Sequence, residues 1–257
     1  MHALQDAVMS LTEHPLETSN FQDALGLYFP GSYTSEQFID HSLQILHPLG
    51  FEPDNTMACA SLCRDELTRP FVNNLNNSWH SLFNFSSLAG MLHLGVTGFK
   101  AAHHHAPNFD GKERYIYFAF PHIVIDEYGV PGNCRRPGRN EISQACGALI
   151  NVMQDLSQGS VELELNQDDL EQSTLKQRLF RKLRYGEVPD LVSLTKIAQN
   201  IIREDLERMI QLTVEQTSTA YAVFTGIQIH GHNNQTWIWP ETAYAVVNGV
   251  REHLDPP

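Results

Sequence analysis

The run Arg114-Tyr-Ile-Tyr-Phe-Ala-Phe-Pro-His-Ile-Val-Ile-Asp126 constrains the fold more than any other stretch of the chain. Aromatic and β-branched side chains pack well on pleated, extended backbone, so the run reads as a strand. Residues 55–63, Asn-Thr-Met-Ala-Cys-Ala-Ser-Leu-Cys, are uncharged and then meet Arg64-Asp65-Glu66. That is the pattern of a buried strand ending at a polar site. Residues 220–230 and 242–248 supply two more strands. Helical spacing fills the intervals: 71–92 as helix and turn, 141–157 with Cys146 in its first turns, then amphipathic stretches at 164–184 and 189–215. Pro189-Asp190 opens the last of these. Strands interleaved with helices predict an α/β fold with a mainly parallel central sheet flanked by helices. Residues 1–50 read as an N-terminal helical arm and 51–257 as the α/β core of a single domain, 1–257, with extra helices at both ends.

Charge narrows the function classes. Against 17 Lys and Arg stand 30 Asp and Glu, a net charge of −13. Nucleic acid and anionic membranes both attract basic surfaces, so neither is an expected partner. No apolar run approaches the ~20 residues of a membrane span, and the start has no basic front or apolar core of a secretory signal. Cytoplasmic placement is expected, or a plastid if a transit peptide has been removed. Four cysteines, at 59, 63, 134 and 146, are too sparse for a disulfide scaffold, and no Cys-x-x-Cys pair occurs. No P-loop, Gly-x-Ser-x-Gly, His-Glu-x-x-His or Gly-x-Gly-x-x-Gly word is present, which removes the commonest nucleotide and hydrolase chemistries.

The chemistry-bearing residues lie between Cys63 and Cys146. Zinc is held by thiolates and imidazoles, and a catalytic site keeps one of four positions open. Cys63 at a strand end, a histidine from the run His103-His104-His105 and Cys146 near a helix start would supply two sulfurs and a nitrogen. Ligands of open α/β sheets gather at the carboxyl ends of strands, and a helix start favours a thiolate.

Local words sharpen this. Cys63-Arg-Asp65 and Cys146-Gly-Ala148 resemble the two zinc-ligand words of β-class carbonic anhydrases, Cys-x-Asp-x-Arg and His-x-x-Cys-Gly. Leu67 and Ser143 stand where that class has Arg and His. The fuller set is Cys63-Arg-Asp-Glu66, Gly95-Val-Thr-Gly98, His104-His-Ala-Pro107, Pro121-His-Ile-Val-Ile125, Arg136-Pro-Gly138, Ser143-Gln-Ala-Cys-Gly-Ala148 and Gly226-Ile-Gln-Ile-His230. With it, residues 20–250 resemble the limiting-carbon-dioxide-inducible B/C proteins, which include the theta-class carbonic anhydrases.

The resemblance implies a β-carbonic-anhydrase-like fold, a homodimer and a zinc site of Cys63, His105 and Cys146, with the histidine drawn from the His-His-x-Pro word. His104 is the next candidate and His103 the last. Asp65 becomes the carboxylate beside zinc, and Arg136 its arginine partner, with Arg64 and Arg69 as alternatives nearer in sequence. The implied activity is reversible hydration of carbon dioxide to bicarbonate. Zinc acidifies water, and an ionised Asp65 either orients the nucleophile or occupies the open position. Proton export calls for a histidine, and His103, His104 and His122 are candidates, with His104 preferred. Trp79, Phe83, Phe85 and Phe99 are candidate apolar walls for the substrate. One rival is a silent, zinc-containing homologue with a binding or regulatory role. Another is a zinc hydrolase, or an enzyme with a Cys146 nucleophile and a histidine.

Overall fold

Pro121 has no amide hydrogen, so the aromatic run cannot continue through it in one ladder. In the computed structural model, which describes residues 20–109, 111–136, 138–215, 218–232 and 235–255, the run divides there into two strands. The part of the N-terminal arm before residue 20 lies outside the described residues. In chain order the elements are α1 (Phe21–Tyr28), β1 (Tyr33–Thr34), α2 (Ser35–Leu46), β2 (Met57–Leu62), α3 (Arg69–Trp79), β3 (Leu82–Asn84), α4 (Gly95–His104), β4 (Asn108–Phe109) and β5 (Lys112–Phe120). They continue as β6 (His122–Val124), β7 (Asn133–Cys134), β8 (Ser143–Gln144), α5 (Gly147–Gln158), α6 (Leu170–Phe180), α7 (Leu191–Thr213), β9 (Thr219–His230), β10 (Thr236–Val247) and β11 (Val250–His253).

Strands β3, β2, β5 and β9 lie side by side in parallel, and β6 continues the line of β5 along β9. β10 closes one side antiparallel to β9 and carries β1 and β11. The α/β class with a largely parallel centre is as expected. β10 begins earlier than the predicted 242–248, because a register shift between Pro240 and Thr242 interrupts its alternation. Gly226 faces that shift: a Cβ there would lie 2.0 Å from the Trp239 carbonyl oxygen, so only glycine lets β9 and β10 approach.

The helices divide between the two faces of the sheet. Alternation along β2 sends Ala58, Ala60 and Leu62 to a core with Phe38 of α2 and Phe71 and Trp79 of α3. Cys59, with Tyr117 and Val223 from its neighbours, faces α4, α5, α6 and α7. Helix ends are capped as their sequences allow. Thr34 Oγ1 accepts from the Gln37 amide at 3.2 Å and Gln37 Oε1 from the Thr34 amide at 3.1 Å, opening α2. Asp190 Oδ1 accepts from the Ser193 amide at 2.7 Å, opening α7 as predicted. Among the described residues no helix is long and apolar enough to cross a membrane.

Candidate metal centre

The site lies where the parallel strands end. Cys63 follows the last residue of β2 and bridges to Ser87. Its carbonyl accepts from Thr68 Oγ1 at 2.8 Å, which pins the turn that follows. The loop beyond β3 presses onto the same edge: Gly90 has φ +75°, and a Cβ there would stand 2.9 Å from the Phe120 carbonyl oxygen. Cys146 is the N-cap of α5, with its carbonyl accepting from the Ile150 amide at 3.0 Å. His122 is the first residue after the Pro121 break and the first of β6.

These three side chains converge. The sulfurs of Cys63 and Cys146 and a ring nitrogen of His122 all lie within 4.8 Å of one another, and all three residues are buried. The sulfurs are 3.8 Å apart and form no disulfide. Two thiolates at ~2.3 Å from a tetrahedral ion would stand about 3.8 Å apart, so the spacing matches joint coordination. Neither ring nitrogen of His122 has a hydrogen-bond partner of good geometry among the described residues, although the ring lies close enough to act on the Cys63 sulfur. A buried imidazole is seldom left so, and a metal ligand needs a bare nitrogen. The donor set fits a Cys/His/Cys ion.

Charge supports the fit. The Cys146 thiol lowers the Cys63 pKa to about 4, against the opposing effect of burial and with help from His122. Cys146 is pushed well above the ordinary thiol range, first by its bond to Cys63 and then by burial, although the Ala148 and Leu149 amides of α5 work the other way. The Cys146 thiol thus favours a thiolate at Cys63. A divalent cation would take both sulfurs as thiolates and release any proton they hold.

Asp65 stands beside the cluster and outside it. Its Oδ2 accepts from Arg136 Nη2 at 2.8 Å and its Oδ1 from Arg136 Nη1 at 3.1 Å, a two-pronged pair with side chains only 13% and 15% exposed. Arg136 also bonds Glu66, and its Nε donates to Ser143 Oγ at 3.0 Å. Burial works to raise the Asp65 pKa, but the Arg136 bonds, His122 and the Leu67 amide outweigh it and hold the carboxyl below its ordinary value. Arg136 is therefore the partner expected for Asp65. Arg64 is turned to Glu171 Oε1 at 2.5 Å and the Ser86 carbonyl at 3.2 Å, and Arg69 opens α3. A cavity of about 710 Å³ opens alongside, lined in part by Leu67, Val124, Cys134, Arg136, His230 and His232.

The histidine expectation needs correction. His105 is not in the cluster; it caps the end of α4, and its ring lies 5.9 Å from that of Phe83. Phe83 pairs with Cys59, four residues short of Cys63 and roughly 13 Å away at ~3.3 Å per residue. His104 is farther still. It shares a cavity with Lys100, Asn108, Glu113 and Thr219 at the amino ends of β5 and β9, opposite the strand ends that carry the cluster. It therefore cannot pass a proton to or from this site directly. His103 Nε2 is 2.7 Å from the Tyr117 hydroxyl oxygen. The histidine that arrives is His122, in the word Pro121-His-Ile-Val-Ile125. The carboxyl-end rule that selected Cys63 would have selected it too, had the strand been divided at the proline. Of the expected walls, Phe85 and Phe99 share a core with Cys63 and Cys146, with rings 4.8 Å apart, and Phe83 packs against that core. Trp79 lies on the other face of the sheet and lines nothing here.

The family profile of the limiting CO2-inducible proteins B/C beta carbonic anhydrases matches residues 32–247. The crystal structure of limiting CO2-inducible protein LCIB is 33% identical, covers 90% of this chain and 97% of its own, and superposes with a TM-score of 0.73. PtLCIB4, a homologue of LCIB, is 22% identical over 90% of this chain and 98% of its own, with a TM-score of 0.79. No curated protein sequence gives a match. Over most of its length, then, this chain belongs to the limiting CO2-inducible protein B/C family of β-carbonic-anhydrase-like proteins.

Proposed function

We propose that the chain is a zinc-dependent carbonic anhydrase that interconverts carbon dioxide and bicarbonate, with Cys63, His122 and Cys146 as the metal ligands. The observation that carries this reading is the meeting of three buried donors from distant positions, with an ionised, arginine-held carboxylate beside them. When bound, zinc supplies Lewis acidity that brings the pKa of water towards ~7.

The chain's own groups do the rest. Two thiolates balance the ion's charge and temper its acidity, so a second lever is useful. Asp65, kept ionised by Arg136, can only accept hydrogen bonds. It selects which way a neighbouring O–H points, and hence which lone pair faces the substrate carbon. Arg136 holds that carboxylate in a two-pronged pair outside the donor set, so Cys63, His122 and Cys146 would hold the ion without Asp65 and solvent could reach it. Carbon dioxide is apolar and small, and Leu67, Val124 and Cys134 give it an apolar approach beside Arg136. His232, exposed on the same cavity, is the histidine placed to carry the proton to solvent. A homodimer belongs to the same proposal, as does placement in the cytoplasm or a plastid.

Stopped-flow carbon dioxide hydration on zinc-loaded protein tests the reading, with Cys63→Ser as the control. Acceleration that disappears in the control supports it. Rates equal to the control at one zinc per chain would leave the silent homologue.

A further inference from the structure

We propose that Gln228 is a positioning residue for the metal centre: its side-chain oxygen accepts the hydrogen bond of the His122 nitrogen turned away from the ion, fixing the tautomer and aim of the ring. The inference rests on the zinc reading above and assigns a role to a residue outside the donor set.

Gln228 lies on β9 directly across the parallel ladder from His122, and its amide donates to the Pro121 carbonyl at 2.9 Å. Its side chain is wholly buried, yet neither amide atom has a partner among the described residues. His230 lies two residues on along the same face of β9, also buried, with Nε2 unpartnered and its ring 5.3 Å from that of His122. Five unpartnered polar atoms therefore meet on three adjacent side chains: two on His122, two on Gln228 and one on His230. A buried polar group left without a partner destabilises the fold, and native chains partner about nine in ten of them. A core strand position such as 228 would be more stable as an aliphatic residue, so the glutamine has a use other than packing.

Donor and acceptor types indicate that use. With one His122 nitrogen on the ion, the other carries hydrogen and donates. Gln228 Oε1 can only accept, and Gln228 Nε2 can only donate. His230 Nδ1 stands 3.2 Å from Thr236 Oγ1, so with its hydrogen on Nδ1 it donates there and leaves Nε2 as an acceptor. The order His122 to Gln228 to His230 to Thr236 thus matches a donor with an acceptor at every step, once the Gln228 side chain turns between the two rings. The nearest residues of β6, Ile123 and Val124, have no side-chain acceptor to offer in its place.

Gln228→Leu puts a branched apolar side chain, one bond shorter, in place of the amide and removes both polar atoms. Two quantities are read: zinc affinity, by competition with a chromophoric chelator, and thermal unfolding of the metal-free protein. The expected result is a 10–100-fold loss of zinc affinity, the usual effect of losing an outer-shell partner. The metal-free variant should unfold at the same temperature as wild type or higher, because two unpartnered atoms are gone. Gln228→Glu, which retains an acceptor oxygen, should keep more of the affinity than Gln228→Leu and serves also if the leucine variant does not fold. Zinc affinity within twofold of wild type in Gln228→Leu overturns the inference while leaving the zinc reading intact. A metal-free variant that is less stable with unchanged affinity does the same, by showing a packing role alone. A wild-type chain that binds no zinc overturns the reading itself, and the inference with it.

Discussion

Removing the guanidinium from Arg136 is the most informative perturbation of the polar half of the site. Arg136→Ala deletes the 2.8 and 3.1 Å bonds to Asp65, the bond to Glu66 and the 3.0 Å bond to Ser143. Hydrogen bonds to charged groups contribute ~1.5–3 kcal/mol each, and stripping one partner from a shielded pair costs ~3–5 kcal/mol. Asp65 retains the Leu67 amide at 3.1 Å and some access to water, so part of that cost is recovered. A net loss of about 2–3 kcal/mol is expected, or roughly 5–10 °C in Tm for a chain of 257 residues. Arg136→Lys keeps the charge and loses the fork, so it should restore less than half of the loss. Denaturant unfolding of Arg136→Ala, Asp65→Ala and the double variant forms a cycle with an expected coupling of about 2 kcal/mol. Coupling below about 0.5 kcal/mol, the ordinary scatter of independent sites, would refute the claim that the two side chains act as one unit.

Two further outcomes bear on the fold. Gly226→Ala places a Cβ 2.0 Å from the Trp239 carbonyl oxygen, so β9 and β10 must separate, and thermal unfolding should register a loss of about 3 kcal/mol, the upper end of the usual overpacking range; a variant as stable as wild type contradicts that close approach. His103 and His93 are both held below the ordinary histidine pKa, burial being the leading cause in each. The unfolded chain therefore binds more protons than the folded one, and stability should fall as pH drops below ~6.5 towards the folded-state values. Unfolding free energies at about pH 7.5 and 5.5 check this, and His103→Gln should show a smaller fall than wild type; an equal fall removes His103 from the explanation.

Much of this was readable in the chain, and the failures have physical causes. Cys63 could be placed because an uncharged strand run stops at Arg64-Asp65-Glu66, and Cys146 because helical spacing begins just beyond it. Arg136 could be named as the partner of Asp65 although Arg64 and Arg69 are nearer in sequence. His122 is hard to read because the resemblance draws the ligand from the His-His-x-Pro word and because the run 114–126 looks like one strand with His122 in its interior; the missing amide of Pro121 makes it the start of a second strand. His103, His104 and His105 attract attention as a triplet, but α4 carries them towards the amino edge before β5 begins. Trp79 lies on the far face of the sheet, and spacing along a helix does not reveal which face the helix covers. The early part of β10 escaped because a register shift at Pro240 breaks the two-residue alternation that marks a strand.

Zinc content of purified single variants tests the central assignment most directly. Elemental analysis should find close to one zinc per chain in wild type and in His105→Ala, and close to none in His122→Ala, with all three equally folded by circular dichroism. Full zinc in His122→Ala together with loss in His105→Ala would contradict the Cys63, His122 and Cys146 centre.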